Sequence, residues 1–484
     1  MSDSNKTKRI MKIRYTIISI MLALTASSCS SFLEVEEKGK ATIPSFLSDP
    51  NGLNAALVGA YNETYDYYDN EFGKYADAAG NMIQMNTTMS EMLDIYNYNS
   101  DASNETSSSS YIWRRIYKAM ANVNNIIEYG DKVRSAYPAQ RNKINRIMGE
   151  AFFLRALSHY DLCRTFAQPY NYSENATHLG VPLLKKTPGP DDNPSRVSIA
   201  EVYKFISEDL DSAEARLKSG TQRGDRYVSL QAVYAMKSRV ALYMENWNSA
   251  IDNARKALTT NSNPSGVVTD HLASADEYVK QFDNLTYTGE IILRLSGTDK
   301  KGKLKSFYES TGVPADTLYS LYDSNDIRLA LLYNNGKKQC RKYSATTSPD
   351  NQTDRDDPII LRLSEVYLNA AEASVMNNDY RSARQFILPI VQRAIGVTEG
   401  QNLIDECPDA KLLDLIMKER TKELCFENHN FFDITRWKQD LVRQSATTST
   451  VKRLTYPNDR FVQPIPLAEL NANKNMQPNP GVND

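Results

Sequence analysis

The residue types best able to do chemistry in this sequence are carboxylates and tyrosines. Glu419, Glu423 and Glu427 repeat every fourth residue and so share one helix face. Two such carboxylates could supply the acid and base of glycoside hydrolysis. Arg420, Lys422 and Arg436 stand close by, however, and same-face carboxylates beside cations form ion pairs that hold helices together, whereas catalytic pairs flank a cleft from separate elements. Glu150 with Arg155, and Arg362 with Glu365 and Glu372, invite the same ion-pair reading. The stretch Gly297 to Lys303 has the glycine spacing and lysine of a phosphate-binding loop, but Leu304 stands in the place of the Mg²⁺-binding hydroxyl and no clear helix follows. It reads as a basic turn. Asp66, Asp69, Asn70, Glu71 and Asp77 lack the spacing and central glycine of a calcium loop and read as solvated surface that could also contribute polar ligand contacts. His159, His178, His271 and His429 are scattered, and Cys163, Cys340, Cys407 and Cys425 are isolated, so no metal site or cofactor motif emerges.

Tyrosine is the more telling excess: 29 Tyr stand against 14 Phe and 3 Trp. A phenol ring offers a flat apolar face with a polar tip, which suits a wet, ring-shaped ligand. Stacking a sugar ring gains apolar contact while its hydroxyls reach Asn, Asp and Gln. Tyr96, Asn97 and Tyr98 place two tyrosines around an asparagine, and Tyr67, Tyr68 and Tyr75 precede them in the same region.

The elements that must carry these residues are helical. Ser198 and Glu201 form a capping box ahead of the stripe Val202, Phe205, Ile206, Leu210, Ala213 and Leu217. A second stripe starts at Ser229 and a third at Trp247, joined by a short break at Glu245 and Asn246. A tight helix pair with a large aromatic opening its second member resembles a tetratricopeptide unit. The pattern returns at 362–395, where Tyr380 and Ala383 match Trp247 and Ala250. Further helices are expected at 51–66, 111–129, 139–165 and 410–428, and Ile291 to Leu295 is the best strand signal. Long polar segments at 86–110, 168–197, 261–287, 296–358 and 438–484 lie between them, many with tyrosine. The expectation is an all-α domain whose helical scaffold supports an irregular, tyrosine-decorated face.

Lys6, Lys8, Arg9, Lys12 and Arg14 precede an apolar run from Tyr15 to Thr25, the charged and apolar regions of a secretory signal too short to span a bilayer. Translation from Met11 would keep a complete charged region. Small residues then lead to Cys29, as in a bacterial lipobox, so 1–28 reads as a signal peptide and Cys29 as the lipidated first residue. The whole chain carries 57 basic and 59 acidic residues, a net charge of -2, which supplies no field for nucleic acid.

Four groups of segments occur in order: Gly149 to Arg164 with Gly180 to Leu183; Pro358 to Glu372; Lys418 to Glu427 with Phe431 to Trp437; and Gln463 to Pro466 with Gln477 to Gly481. Together with the acidic leader after Cys29 they resemble the SusD/RagB family. The resemblance implies a surface-exposed outer-membrane lipoprotein of Bacteroidetes-type bacteria. Residues 29–484 would form one domain: a leader over 29–50, about four tetratricopeptide-like helix pairs, and variable loops at 66–110, 168–197 and 261–358. It implies a binding protein with no catalysis. Such proteins capture nutrients, usually oligosaccharides, and act as the lid of a SusC-like TonB-dependent transporter; an oligopeptide-binding lid of a RagAB-like importer is the alternative. Relatives bind in the early loop and in the segment before Pro358, which implies Tyr67, Tyr68, Tyr75, Tyr96, Asn97, Tyr98, Tyr319 and Tyr322 as ligand contacts. Trp113, Tyr117, Trp247 and Trp437 fall in scaffold motifs and are assigned to the core. Asn428-His429-Asn430 departs from the family's common Gly-His-Arg, leaving no arginine for a local ion pair.

Overall fold

The computed structural model describes residues 42–483 except 89–90, 190, 219–222, 260–266, 298–301, 335 and 346–354. The signal sequence and Cys29 lie outside the described residues. A four-residue helix, Ile43–Phe46, belongs to a unit separate from the one that begins at Leu47.

Thirteen helices of seven residues or more occur among the described residues. In chain order they are α1 (Pro50–Tyr68), α2 (Glu71–Ala79), α3 (Ser108–Ala136), α4 (Arg141–Phe166), α5 (Ile199–Leu217), α6 (Leu230–Tyr243), α7 (Trp247–Leu258), α8 (Lys303–Ser310), α9 (Leu363–Met376), α10 (Tyr380–Ile395), α11 (Val397–Glu406), α12 (Asp409–Leu424) and α13 (Asn430–Arg436). Helices α1 with α3, α4 with α5, α6 with α7, and α9 with α10 pack as four successive pairs. Strand is confined to five two-stranded antiparallel ladders: β1 (Ile83–Met85) with β5 (Gly312–Pro314), β2 (Leu179–Pro182) with β3 (Arg196–Ser198), β4 (Ile291–Arg294) with β8 (Ile359–Arg362), β6 (Tyr333–Asn334) with β7 (Lys337–Lys338), and β9 (Leu441–Val442) with β10 (Arg453–Leu454).

The repeat read from the sequence is physical. Asn246 caps α7 by accepting the Ser249 N–H at 3.3 Å, and Asp379 caps α10 by accepting the Ser382 N–H at 3.0 Å. The residue before each cap is left-handed, Glu245 at φ 57° and Asn378 at φ 59°, so both pairs turn through the same geometry. The capping box at Ser198 and Glu201 forms as expected.

Three local expectations require correction. The serines that seemed to close a polar loop at 86–110 instead begin α3: Ser107 caps it, and the Asp94 carboxylate accepts the Ser108 N–H at 2.9 Å. A helix does follow the glycine-lysine turn. Its N-terminus is already occupied by carboxylates, Asp69 accepting the Lys303 N–H at 3.1 Å and Asp356 the Lys305 N–H at 2.7 Å, so the place a phosphate would take is filled. The acidic cluster is not solvated surface, because Asp69, Asn70 and Asp77 are buried and Asp77 accepts the Tyr308 hydroxyl.

Candidate functional site

Most of the tyrosines picked out in the sequence are structural. Tyr67, Tyr68, Tyr75, Tyr96 and Tyr98 are all buried, so their rings offer no face to a ligand. Tyr67 and Tyr68 donate to one oxygen of Asp161 at 3.0 and 2.8 Å, and Arg164 holds the other at 2.6 Å. The Tyr75 hydroxyl accepts from Gln463 at 3.3 Å. Tyr96 and Tyr98 flank Arg443, whose guanidinium carbon lies 4.4 and 5.4 Å from their ring centres. That guanidinium donates to the carbonyls of Gly80 at 2.8 Å, Tyr96 at 2.6 Å and Ala78 at 2.9 Å. Tyr96 and Tyr98 therefore build a socket for an arginine. Asn97 is half-buried and accepts the Thr450 N–H at 3.0 Å, which ties the early loop to the C-terminal segment.

Tyr319 and Tyr322 have a different setting. Both are half-buried; Tyr322 donates to the Lys422 carbonyl at 2.8 Å, anchoring the variable segment on α12. Tyr319 packs against Tyr333 with ring centres 4.8 Å apart and tilted by 49°. Tyr333 sits on the β6–β7 hairpin and is 42 % exposed. Lys338 Nζ lies 4.9 Å from the Tyr319 ring centre and pairs with Asp316.

Beside this aromatic pair runs a row of amides. Antiparallel pairing of β1 with β5 places Ile83 opposite Pro314 and Met85 opposite Gly312, which brings the early loop alongside the variable segment. Gln444 donates to Gln84 Oε1 at 3.0 Å and accepts the Asp316 N–H at 2.8 Å, and Asn81 Nδ2 donates to the Val442 carbonyl at 3.0 Å. Three segments distant in sequence thus converge on one face that combines aromatic rings, amides and a Lys–Asp pair. Such a face can hold the apolar side of a ring and hydrogen-bond its polar groups.

The sequence reading missed Tyr333, Gln84 and Gln444. An Asn-Gly hairpin signal follows Tyr333 and could have marked it. Nothing local marks Gln444, whose partner Gln84 is 360 residues away.

The glutamates on α12 are ion-pair partners. Arg362 donates at 2.7 Å to Glu290, Glu423 and Glu427, and Arg393 reaches Glu290 at 2.7 Å and Glu423 at 2.8 Å. Arg328 joins Asp326 at 2.7 Å to Glu419 at 2.8 Å. Burial opposes ionisation of Glu423, yet Arg393, Arg362 and Arg328 together hold its carboxyl well below the usual range. A carboxylate so lowered, with its oxygens engaged by three arginines, is poorly suited to act as a general acid. Glu150 and Arg155 are both paired, but not with each other: Glu150 takes Arg223 at 3.0 Å and Arg155 takes Asp209 at 2.7 Å. Glu365 likewise takes Arg239, and Glu372 takes Arg436. Among the described residues no group of His, Cys, Asp and Glu could hold a metal ion.

Comparison with known proteins gives the fold its relatives. A protein-family model described as the SusD family matches residues 211–481, more than half of the chain. The chain belongs to the SusD family. A second model, described as starch-binding associating with outer membrane, matches residues 31–242. Curated SusD-like proteins P25 and P2 of Formosa agariphila are 23 % and 22 % identical, each alignment covering 96 % of this chain and 97 % or 99 % of the relative. A crystallographic SusD superfamily protein from Bacteroides thetaiotaomicron superposes with a TM-score of 0.79 at 26 % identity, over 89 % of this chain and all of the other. A SusD-like carbohydrate binding protein from Bacteroides vulgatus shares the fold at 19 % identity, with a TM-score of 0.73 over 89 % of this chain and 97 % of its own.

SusD-family proteins are non-catalytic binding proteins, which agrees with the engaged state of the α12 glutamates. The family's Gly-His-Arg variation also has a local explanation here. Asn428 stands at φ 59°, a left-handed conformation that Gly adopts freely and Asn tolerates. Asn430 makes no ion pair; its Oδ1 accepts the Asn81 N–H at 3.3 Å, while His429 Nε2 lies 4.0 Å from Glu365. Among the described residues no helix is long and apolar enough to cross a membrane.

Proposed function

We propose that this chain is a lipoprotein anchored at Cys29 to the outer membrane, exposed at the cell surface, which captures oligosaccharide and serves as the lid of a SusC-like TonB-dependent transporter. The observation that carries the reading is the exposed Tyr333 ring, backed by the half-buried Tyr319, beside Gln84, Gln444 and Asn81. The apolar face of a pyranose would lie on Tyr333 while its hydroxyls exchange hydrogen bonds with the amides and with Lys338. Tyr319 and Tyr322 keep their proposed place here, Tyr319 as the supporting ring and Tyr322 as the strut that fixes the segment. Membership of the SusD family and the description of its N-terminal model as starch-binding support the ligand class. The lipobox supports the anchor.

Calorimetric titration of the whole chain, in a detergent without a sugar headgroup, against defined oligosaccharides and mixed peptides tests the ligand. Heat from a glycan class, lost in Tyr333→Ala, is the expected result. Heat from peptides alone would overturn the glycan assignment. The lid role predicts co-purification with a barrel transporter from detergent extracts, and repeated absence of one would count against it.

A further inference from the structure

Three buried carboxylates contact α8. Asp69, in the turn between α1 and α2, accepts the Lys303 N–H at 3.1 Å and the Leu304 N–H at 3.4 Å. Asp356, just ahead of β8, accepts the Lys305 N–H at 2.7 Å. Asp77 of α2 takes the Tyr308 hydroxyl one turn further along.

The first two form a pair. Successive helix residues rise by ~1.5 Å, so carboxyls bound to the amides of residues 303 to 305 sit within one turn of each other. Both are buried, Asp69 at 2 % and Asp356 at 1 % exposure. Gly302 permits the approach, because a Cβ there would lie 2.3 Å from Asp356 Oδ2. The other oxygen, Asp356 Oδ1, is buried without a hydrogen-bond partner. An ionised oxygen in that setting is costly, and protonation removes its charge.

The charged groups around the pair leave it poorly compensated. Lys74 faces Asp69 but pairs with Glu91, and the Lys303 ammonium donates to Asn70. Lys305 faces Asp356, whereas Asp357 adds a negative charge, itself taken up by Arg226 at 3.0 Å and Arg355 at 3.2 Å. Tyr65 stands beside Asp69 as a neutral phenol. Burial pushes the Asp69 carboxyl up to about 6. Burial first, and then the Asp69 charge, push Asp356 well above the usual carboxylate range. Glu423, with three arginines, goes the opposite way. Two like charges this close in the interior do not both form cheaply.

We infer that Asp69 and Asp356 hold one proton between them and act as a pH-operated clasp on the N-terminus of α8, closed while the proton stays and released when both carboxyls ionise. The clasp contributes its full stability below the ordinary 3.8, and this is lost as the pH rises through about 6 and beyond. Helix α8 leads directly into β5, which pairs with β1, and then to Asp316 and Tyr319. Release of α8 therefore slackens the mounting of Tyr319, a consequence that rests on the glycan face proposed above; the clasp itself does not.

Hydrogen exchange of the whole chain at pH 5 and pH 8, without sugar and with each rate normalised to the intrinsic rate at that pH, tests the clasp. Amides of 303–310 should lose about tenfold in protection between the two conditions, while those of α4 keep theirs. The loss should persist in Asp77→Asn, shrink in Asp356→Asn, and vanish in the Asp69→Asn/Asp356→Asn double variant, whose amide oxygens still accept the α8 N–H groups. Protection of α8 that does not change with pH would overturn the proposal. So would a loss undiminished in Asp356→Asn, one surviving the double variant, one abolished by Asp77→Asn alone, or one shared equally by α4. Because exchange reads α8 with no ligand present, failure of the clasp and failure of the glycan face are separate results.

Discussion

The guanidinium of Arg443 lies 4.4 Å from the centre of the Tyr96 ring and donates to the Tyr96 carbonyl at 2.6 Å. One residue of the C-terminal segment thereby fixes the loop that carries Asn97 and Tyr98. This contact turns a stretch with the composition of a ligand site into a piece of interior.

Arg443→Ala should destabilise the chain by about 3 kcal/mol, because the carbonyls of Ala78, Gly80 and Tyr96 lose their donor while remaining buried. Arg443→Lys should rescue little, since an ammonium cannot span three divergent carbonyls. Denaturant unfolding of the two variants beside the unaltered chain measures both effects.

Two tyrosines of similar sequence context should behave in opposite ways. Tyr96→Ala should cost about 3–5 kcal/mol of stability by opening a core cavity. Tyr333→Ala should leave the unfolding midpoint nearly unchanged and weaken glycan binding about tenfold, ~1.4 kcal/mol. Paired melting and calorimetric curves for each variant separate the cases.

Breaking the α12 network should impair folding and not chemistry. Glu423→Gln leaves Arg362, Arg393 and Arg328 short of a counter-charge in the interior and should cost about 3–5 kcal/mol. No polysaccharide turnover should be present before or after the change. Reducing-end release that falls with Glu423→Gln in folded protein would refute the non-catalytic assignment.

Burial pushes the Asp77 carboxyl up to about 7 from the ordinary 3.8, against the opposing hydrogen bond from Tyr308. Between those two values the folded chain holds a proton that the unfolded chain has released, so raising the pH through this window lowers stability. The loss should level off above pH 7. Asp77→Asn keeps an acceptor for Tyr308 and should remove this component, on the order of 4 kcal/mol at pH 8. Unfolding free energies of the two proteins, compared from pH 4 to pH 8, should diverge progressively.

Cys29→Ala should abolish incorporation of labelled fatty acid and move the protein from the membrane fraction to the soluble one. Retention in the membrane with no label incorporated would place the anchor elsewhere.

The sequence by itself determined the helical repeat and the family. These are legible because they are local: caps such as Asn246 and Asp379 act on amides three residues on, and apolar stripes follow the period of one helix. The order of scaffold motifs from Gly149 to Gly481 needed no structure either. Only the tertiary fold decided which tyrosines face solvent. Tyr67 and Tyr68 are spent on Asp161, more than 90 residues away, and Tyr96 meets Thr447 across 351 residues, while Tyr333 on its short hairpin meets no such cover. Tyrosine has the same apolar face and polar tip in the interior as at a binding surface, so composition cannot separate the two. What lies over the ring is set by long-range packing, which also leaves Trp247 and Trp437 half-open in a motif that otherwise reads as core.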